Sequence, residues 1–211
     1  MGQDNRFKVV LLGDSGVGKS TMLLQFTENQ SSPSISTTIG IDYKKSTMVI
    51  ENQAIVLDIW DTAGQERYRA LTRNHFRNAQ GVVLMYSVDN EQSYRSITSW
   101  QTDIERYCPP QTRVLIIGNK CDLATRTIPV EQGLLVSSRL GAPFMESSAK
   151  ENVNVKTTFH LLAKMMLDER KASVQSRNME QLLKEKLIKL DKCDCCQRSI
   201  ENTFSRCCSI L

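Results

Sequence analysis

Gly13-Asp14-Ser15-Gly16-Val17-Gly18-Lys19-Ser20 has the spacing G-x-x-x-x-G-K-[ST]. Glycines at those positions let a backbone wrap a chain of phosphates with its N–H groups. The lysine reaches the β- and γ-phosphates, and the serine hydroxyl suits Mg²⁺. Ser15, Gly16, Val17, Gly18, Lys19, Ser20 and Thr21 are therefore the predicted phosphate-binding residues.

A phosphate loop does not choose a base. Asn119-Lys120-Cys121-Asp122 can, because the Asp122 carboxylate can accept from both N1–H and the 2-amino group of guanine. Adenine offers neither and would leave buried groups unpaired. Ser147-Ser148-Ala149-Lys150 adds a backbone N–H for the guanine carbonyl, with the Lys150 stem over the ring. Asn119, Lys120, Asp122, Ser148, Ala149 and Lys150 are the predicted base-binding residues.

Trp60-Asp61-Thr62-Ala63-Gly64-Gln65-Glu66 lies between these motifs. Asp61 can hold Mg²⁺ through a water, and the Gly64 N–H can meet a γ-phosphate. Gln65 is the candidate catalytic residue, orienting a water for in-line attack. Thr38 offers a further hydroxyl to the metal, so Ser20, Thr38 and Asp61 form the predicted Mg²⁺ set.

The chain around these residues predicts a doubly covered sheet. Apolar runs at 7–12, 54–60, 81–87 and 113–118 read as strands, with shorter ones at 47–50 and 144–147. Helical patterns fall at 19–26, 92–107, 130–140 and 155–168. Strands alternating with helices imply a mostly parallel sheet, with ligands at the carboxyl ends of its strands. Phosphate loop, base motif and catalytic loop each follow such a run.

In order, GDSGVGKS, TTIG, WDTAGQE, NKCD and SSAK resemble the five nucleotide-site motifs of Ras-like GTPases, over residues 6 to 170. Ile39-Gly40-Ile41-Asp42-Tyr43 and Trp60 to Tyr68 are similar to Rab signatures, with the exocytic Rabs as nearest cousins. The resemblance implies an α/β P-loop G domain with a six-stranded, mostly parallel sheet over residues 1–172, then a tail over 173–211. It implies a slow, GTP-hydrolysing, Mg²⁺-dependent switch in vesicle trafficking. Its implied partners are an exchange factor, an activating protein, a GDP dissociation inhibitor or escort protein, and effectors. Ile39, Gly40, Ile41, Asp42, Tyr43, Trp60 and His75 would form the surface that effectors read.

Three positions depart from the pattern. Ser31 stands where these proteins usually carry an aromatic residue against the guanine, so either another side chain covers the base or nucleotide release is faster. His75 stands where Rabs usually present a tyrosine beside Tyr43 and Trp60. Ser87 replaces a common aspartate, with no consequence drawn.

Composition points the same way. A net charge of +4 on 211 residues lacks the clustered basic face of a nucleic-acid binder. Five of the seven cysteines, Cys193, Cys195, Cys196, Cys207 and Cys208, crowd the end, which is no disulfide framework. No opening signal segment or long apolar span is expected. Cys208-Ser209-Ile210-Leu211 fits C-a-a-X with a terminal leucine, so Cys208 is the predicted geranylgeranyl site. Cys207, or the cluster at 193–196, offers thiols for palmitate as a second anchor. Residues 180–190 have an amphipathic pattern. Membrane attachment by prenyl group predicts the cytoplasmic face of intracellular or plasma membranes, with a soluble pool. Two rivals compete: a nucleotide-filled module that no longer cycles, and an ATP-using P-loop kinase, which Asn119-Lys120-Cys121-Asp122 disfavours.

Overall fold

The computed structural model describes residues 5–29, 41–62 and 76–191, with side chains through 185. Ser31, Thr38, Ile39, Gly40, Gly64, Gln65, His75, Cys193, Cys195, Cys196, Cys207 and Cys208 lie outside the described residues. The described chain forms β1 (Arg6–Leu12), α1 (Lys19–Glu28), β2 (Ile41–Ile50), β3 (Gln53–Thr62), β4 (Gly81–Ser87) and α2 (Glu91–Arg95). It continues with α3 (Ile97–Tyr107), β5 (Arg113–Asn119), α4 (Val130–Leu140), β6 (Phe144–Glu146) and α5 (Val155–Asp191).

Six strands make one sheet in the order β2-β3-β1-β4-β5-β6. Among the described strands only the β2–β3 pair is antiparallel. The α/β sheet expected from the sequence is therefore present. β1 has β3 on one side and β4 on the other. The strand order reverses there, so the loop leaving β1 opens at the crevice where such sheets bind ligands.

The side-chain alternation of β1 explains why its run is continuously apolar. Phe7, Val9 and Leu11 pack on one face with Met22, Leu23, Phe159 and Leu162 of α1 and α5. Val10 and Leu12 pack on the other with Ile97, Trp100 and Ile104 of α3. Every residue of β4 is buried, as a strand covered on both faces requires.

Three elements differ from the sequence reading. β2 starts at Ile41 rather than Thr47, because it is an edge strand whose polar Lys44-Lys45-Ser46 stretch carries no apolar run. It pairs with β3 along its whole length through a turn in which Glu51 and Asn52 have φ of 49° and 61°. Two successive left-handed residues give the hairpin a twist matching its strands. The expected helix over 92–107 is two helices. Asn90 caps the first by accepting from the Ser93 N–H at 3.0 Å, and the second starts after Ser96. α5 runs on past Asp168 to Asp191, since residues 169–190 contain neither proline nor glycine to stop it. The chain divides into a compact unit ending at Leu167 and a second unit from Asp168. Of the second unit, the helical stretch to Asp191 is described.

Candidate functional site

β1 ends at Leu12 and the chain turns at once into the loop 13–18. Gly13 has φ of 137°, and a Cβ there would lie 2.1 Å from the Met85 carbonyl oxygen of β4. Gly18 has φ of 97° and opens α1. A Cβ on it would lie 2.3 Å from the Asn119 side-chain nitrogen. Both glycines are fixed by positive φ and by close approach, of Gly13 to β4 and of Gly18 to Asn119, so neither position admits a side chain.

Lys19 is buried at 5% exposure. Its ammonium donates to the carbonyl oxygens of Gly13 and Asp14, 2.8 Å each. Burial pushes its pKa down to about 8, against the pull of Asp61 and Asp14. A desolvated cation held by carbonyls attracts an anion strongly, as a phosphate-binding lysine must.

The Ser20 hydroxyl donates to Asp61 Oδ2. Asp61 is 1% exposed, and its Oδ1 is buried with no hydrogen-bond partner among the described residues. Burial pushes this carboxyl up, while the Ser20 hydrogen bond and Lys19 pull it down. A hydroxyl beside a buried carboxylate with an orphaned oxygen is a donor set that fits Mg²⁺. Ser20 and Asp61, predicted to share the metal, are thus brought together. The third predicted ligand, Thr38, lies outside the described residues.

Asn119, at the end of β5, ties the three loops together. Its Nδ2 donates to the Val17 carbonyl at 2.7 Å. Its Oδ1 accepts from the Ser147 hydroxyl and the Ala149 N–H, both at 3.1 Å. Asn119 was expected to contact nucleotide. The structure places its side chain as a clip between phosphate loop and the 147–150 loop. The Ala149 N–H, a candidate for the guanine carbonyl, is directed at that clip. The Cys121 N–H donates to the Ser147 carbonyl at 3.0 Å, fastening the two base loops. Lys120 has φ of 66°, with its ammonium 3.9 Å from Asp89. Asp122 and Lys150 are exposed beside these anchored residues.

Sequence reasoning missed one contributor. The Trp100 indole N–H of α3 donates to Asp14 Oδ1 at 2.8 Å. Trp100 is 86 positions from Asp14, and nothing in either neighbourhood marks the pair.

The predicted effector surface is assembled in part. Tyr43 and Trp60 face each other across β2 and β3, with ring centroids 5.0 Å apart. The Tyr43 hydroxyl donates to Asp58 at 2.6 Å, and the Lys8 ammonium lies 5.4 Å over the Trp60 ring. Tyr43 is 41% exposed, while Ile41 and Asp42 begin the same edge strand.

Residues 8–168 match the model of the Ras family. Ras-related protein SEC4 of Saccharomyces cerevisiae is 42% identical over 163 residues, covering 77% of this chain and 76% of that protein. Ras-related protein Rab-3D of Mus musculus is 40% identical over 173 residues, covering 82% and 79%. Human Ras-related protein Rab-3A is 39% identical, with the same coverage. With the loops of a GTP site gathered at the sheet's reversal point, the chain belongs to the Ras family as a Rab-type small GTPase similar to the exocytic branch.

Proposed function

We infer that this GTPase is a membrane-anchored switch that recruits effectors in its GTP-bound state to regulate vesicle trafficking. The Asn119 clip carries the nucleotide assignment: one side chain holds the phosphate loop against both base loops. Asp122 then reads guanine, and Lys150 covers the ring. Lys19 binds the phosphate oxygens, for which its burial and carbonyl contacts prepare it.

Ser20, Thr38 and Asp61 would hold Mg²⁺, which when bound neutralises charge on the β- and γ-phosphates. Gly64 is assigned the γ-phosphate contact and Gln65 the orientation of the attacking water. Among the described residues no arginine stands at the phosphate loop to stabilise the developing charge. Intrinsic turnover is therefore slow, and an activating protein supplies a gain of about 10³–10⁵. Loss of the γ-phosphate releases the loops around Thr38 and Gln65, and effectors lose the surface at Ile39–Tyr43, Trp60 and His75.

Cys208 is the proposed geranylgeranyl site, with Cys207 as a second thiol for acylation. An exchange factor, a GDP dissociation inhibitor or escort protein, and a cytosolic pool complete the cycle at the cytoplasmic membrane face.

The test is base selectivity. Purified protein should bind GTP and GDP far more tightly than ATP. Asp122→Asn should shift preference to xanthine nucleotides, whose extra carbonyl meets the new amide donor. Equal affinity for ATP and GTP sinks the reading.

A further inference from the structure

The last residue of β4, Ser87, replaces an aspartate common at this point of the pattern. A carboxylate is still present two residues on, at Asp89. Ser87 is 1% exposed and lies beside Asn119 across β4 and β5. Its hydroxyl donates to Asp89 Oδ1. The Lys120 ammonium lies 3.9 Å from the same oxygen. Serine, aspartate and lysine form a chain from the end of β4 to the second residue of Asn119-Lys120-Cys121-Asp122.

The backbone on both sides of this chain is fastened. The Asn90 N–H donates to the Ser87 carbonyl at 3.0 Å and closes a turn around Asp89. The Val88 N–H donates to the Asn119 carbonyl at 2.9 Å, and the Val88 carbonyl accepts from the Thr127 and Ile128 N–H groups, also at 2.9 Å. Lys120 is left-handed, and its carbonyl accepts from the Leu123 N–H at 3.1 Å. What remains to be placed is the lysine side chain, a flexible four-carbon stem ending in a charge. Among the described residues Asp89 is the ion-pair partner of that charge.

We propose that Asp89, anchored by Ser87, is a positioning residue for the nucleotide. It holds the Lys120 ammonium and so keeps the stem along the base that Asp122 reads. The inference deepens the guanine reading above and rests on it. An unheld stem samples several rotamers and must be ordered at each binding event. A held stem is ordered beforehand, and the gain appears as slower release.

The sign of the effect separates this role from a bystander's. A carboxylate acting on an anionic nucleotide by its field alone repels it, so removing it would slow release. A carboxylate acting through Lys120 gives the opposite result.

The test uses the full chain loaded with labelled GDP, at fixed Mg²⁺, and reads the release rate. Asp89→Asn keeps the side chain's size and removes its charge. It should release GDP about threefold faster, the range of a partly exposed ion pair. Lys120→Met keeps the stem and removes the ammonium. Adding Asp89→Asn to it should then change nothing further, because the two groups act as one. Ser87→Ala should speed release as well, since Asp89 keeps its charge and loses its anchor. A second measurement needs no change at Lys120. Added salt screens an exposed pair, so it should quicken release from the wild type more than from Asp89→Asn. Unchanged or slower release in Asp89→Asn, additive effects in the double variant, or equal responses to salt overturn the proposal. Release at the wild-type rate in Ser87→Ala overturns the part given to the serine. A failed guanine reading looks different: the wild type itself would bind ATP as tightly as GTP, whatever stands at position 89.

Discussion

At the scale of single residues, the site depends on side chains that hold its loops to one another. Asn119 makes three hydrogen bonds across two loops. Trp100 fixes the Asp14 carboxylate from a helix on the other side of the phosphate loop. A hydrogen bond to a charged group is worth about 1.5–3 kcal/mol, so losing it should loosen the loop that holds the phosphates. Trp100→Phe keeps an aromatic ring at this buried position and removes the donor together with part of the indole's volume. It should speed GDP release about tenfold with base selectivity unchanged, as read from the dissociation of labelled GDP. Release at the wild-type rate would show that Asp14 is held without the indole.

At the scale of elements, β6 is only three residues long, yet it delivers Ser147–Lys150 to the site. Its position is set by contact with α4. A Cβ on Gly133 would fall 2.1 Å from the Phe144 ring, with two further ring atoms within 2.6 Å. Phe144 in turn stacks on Tyr86, with centroids 6.3 Å apart, so the ring has little room to retreat. Intrinsic helix propensity favours Gly133→Ala by about 1 kcal/mol. Overpacking costs about 1–3 kcal/mol and should win. The variant should unfold at lower urea with its slope unchanged. A raised midpoint would mean that α4 and β6 separate freely.

At the scale of the whole molecule, anchoring and catalysis are separable. No described helix is long and apolar enough to cross a membrane, and in the function proposed above the anchor is a lipid at Cys208. One lipid chain alone gives marginal binding, and two signals give stable anchoring. Cys208→Ser should therefore move most of the protein from the membrane to the soluble fraction in cells, while the purified variant hydrolyses GTP as before. A Cys208→Ser protein that stays on membranes would assign the anchor to another residue.

The amino-acid sequence by itself determined the family and the central sheet. Lys19, Asp61 and Asp122 stand out in the proposed site because a phosphate, a hard cation and a guanine edge would each demand one residue type after a buried strand. The strands at 81–87 and 113–118 are legible because burial on both faces leaves only apolar residues there. Tertiary structure alone decided the start of β2, whose pairing with β3 overrides a polar sequence through backbone hydrogen bonds that no side chain advertises. It also decided the roles of Asn119 and Trp100. Their partners lie 102 and 86 positions away, and only the folded sheet brings such distant groups within a hydrogen bond's length.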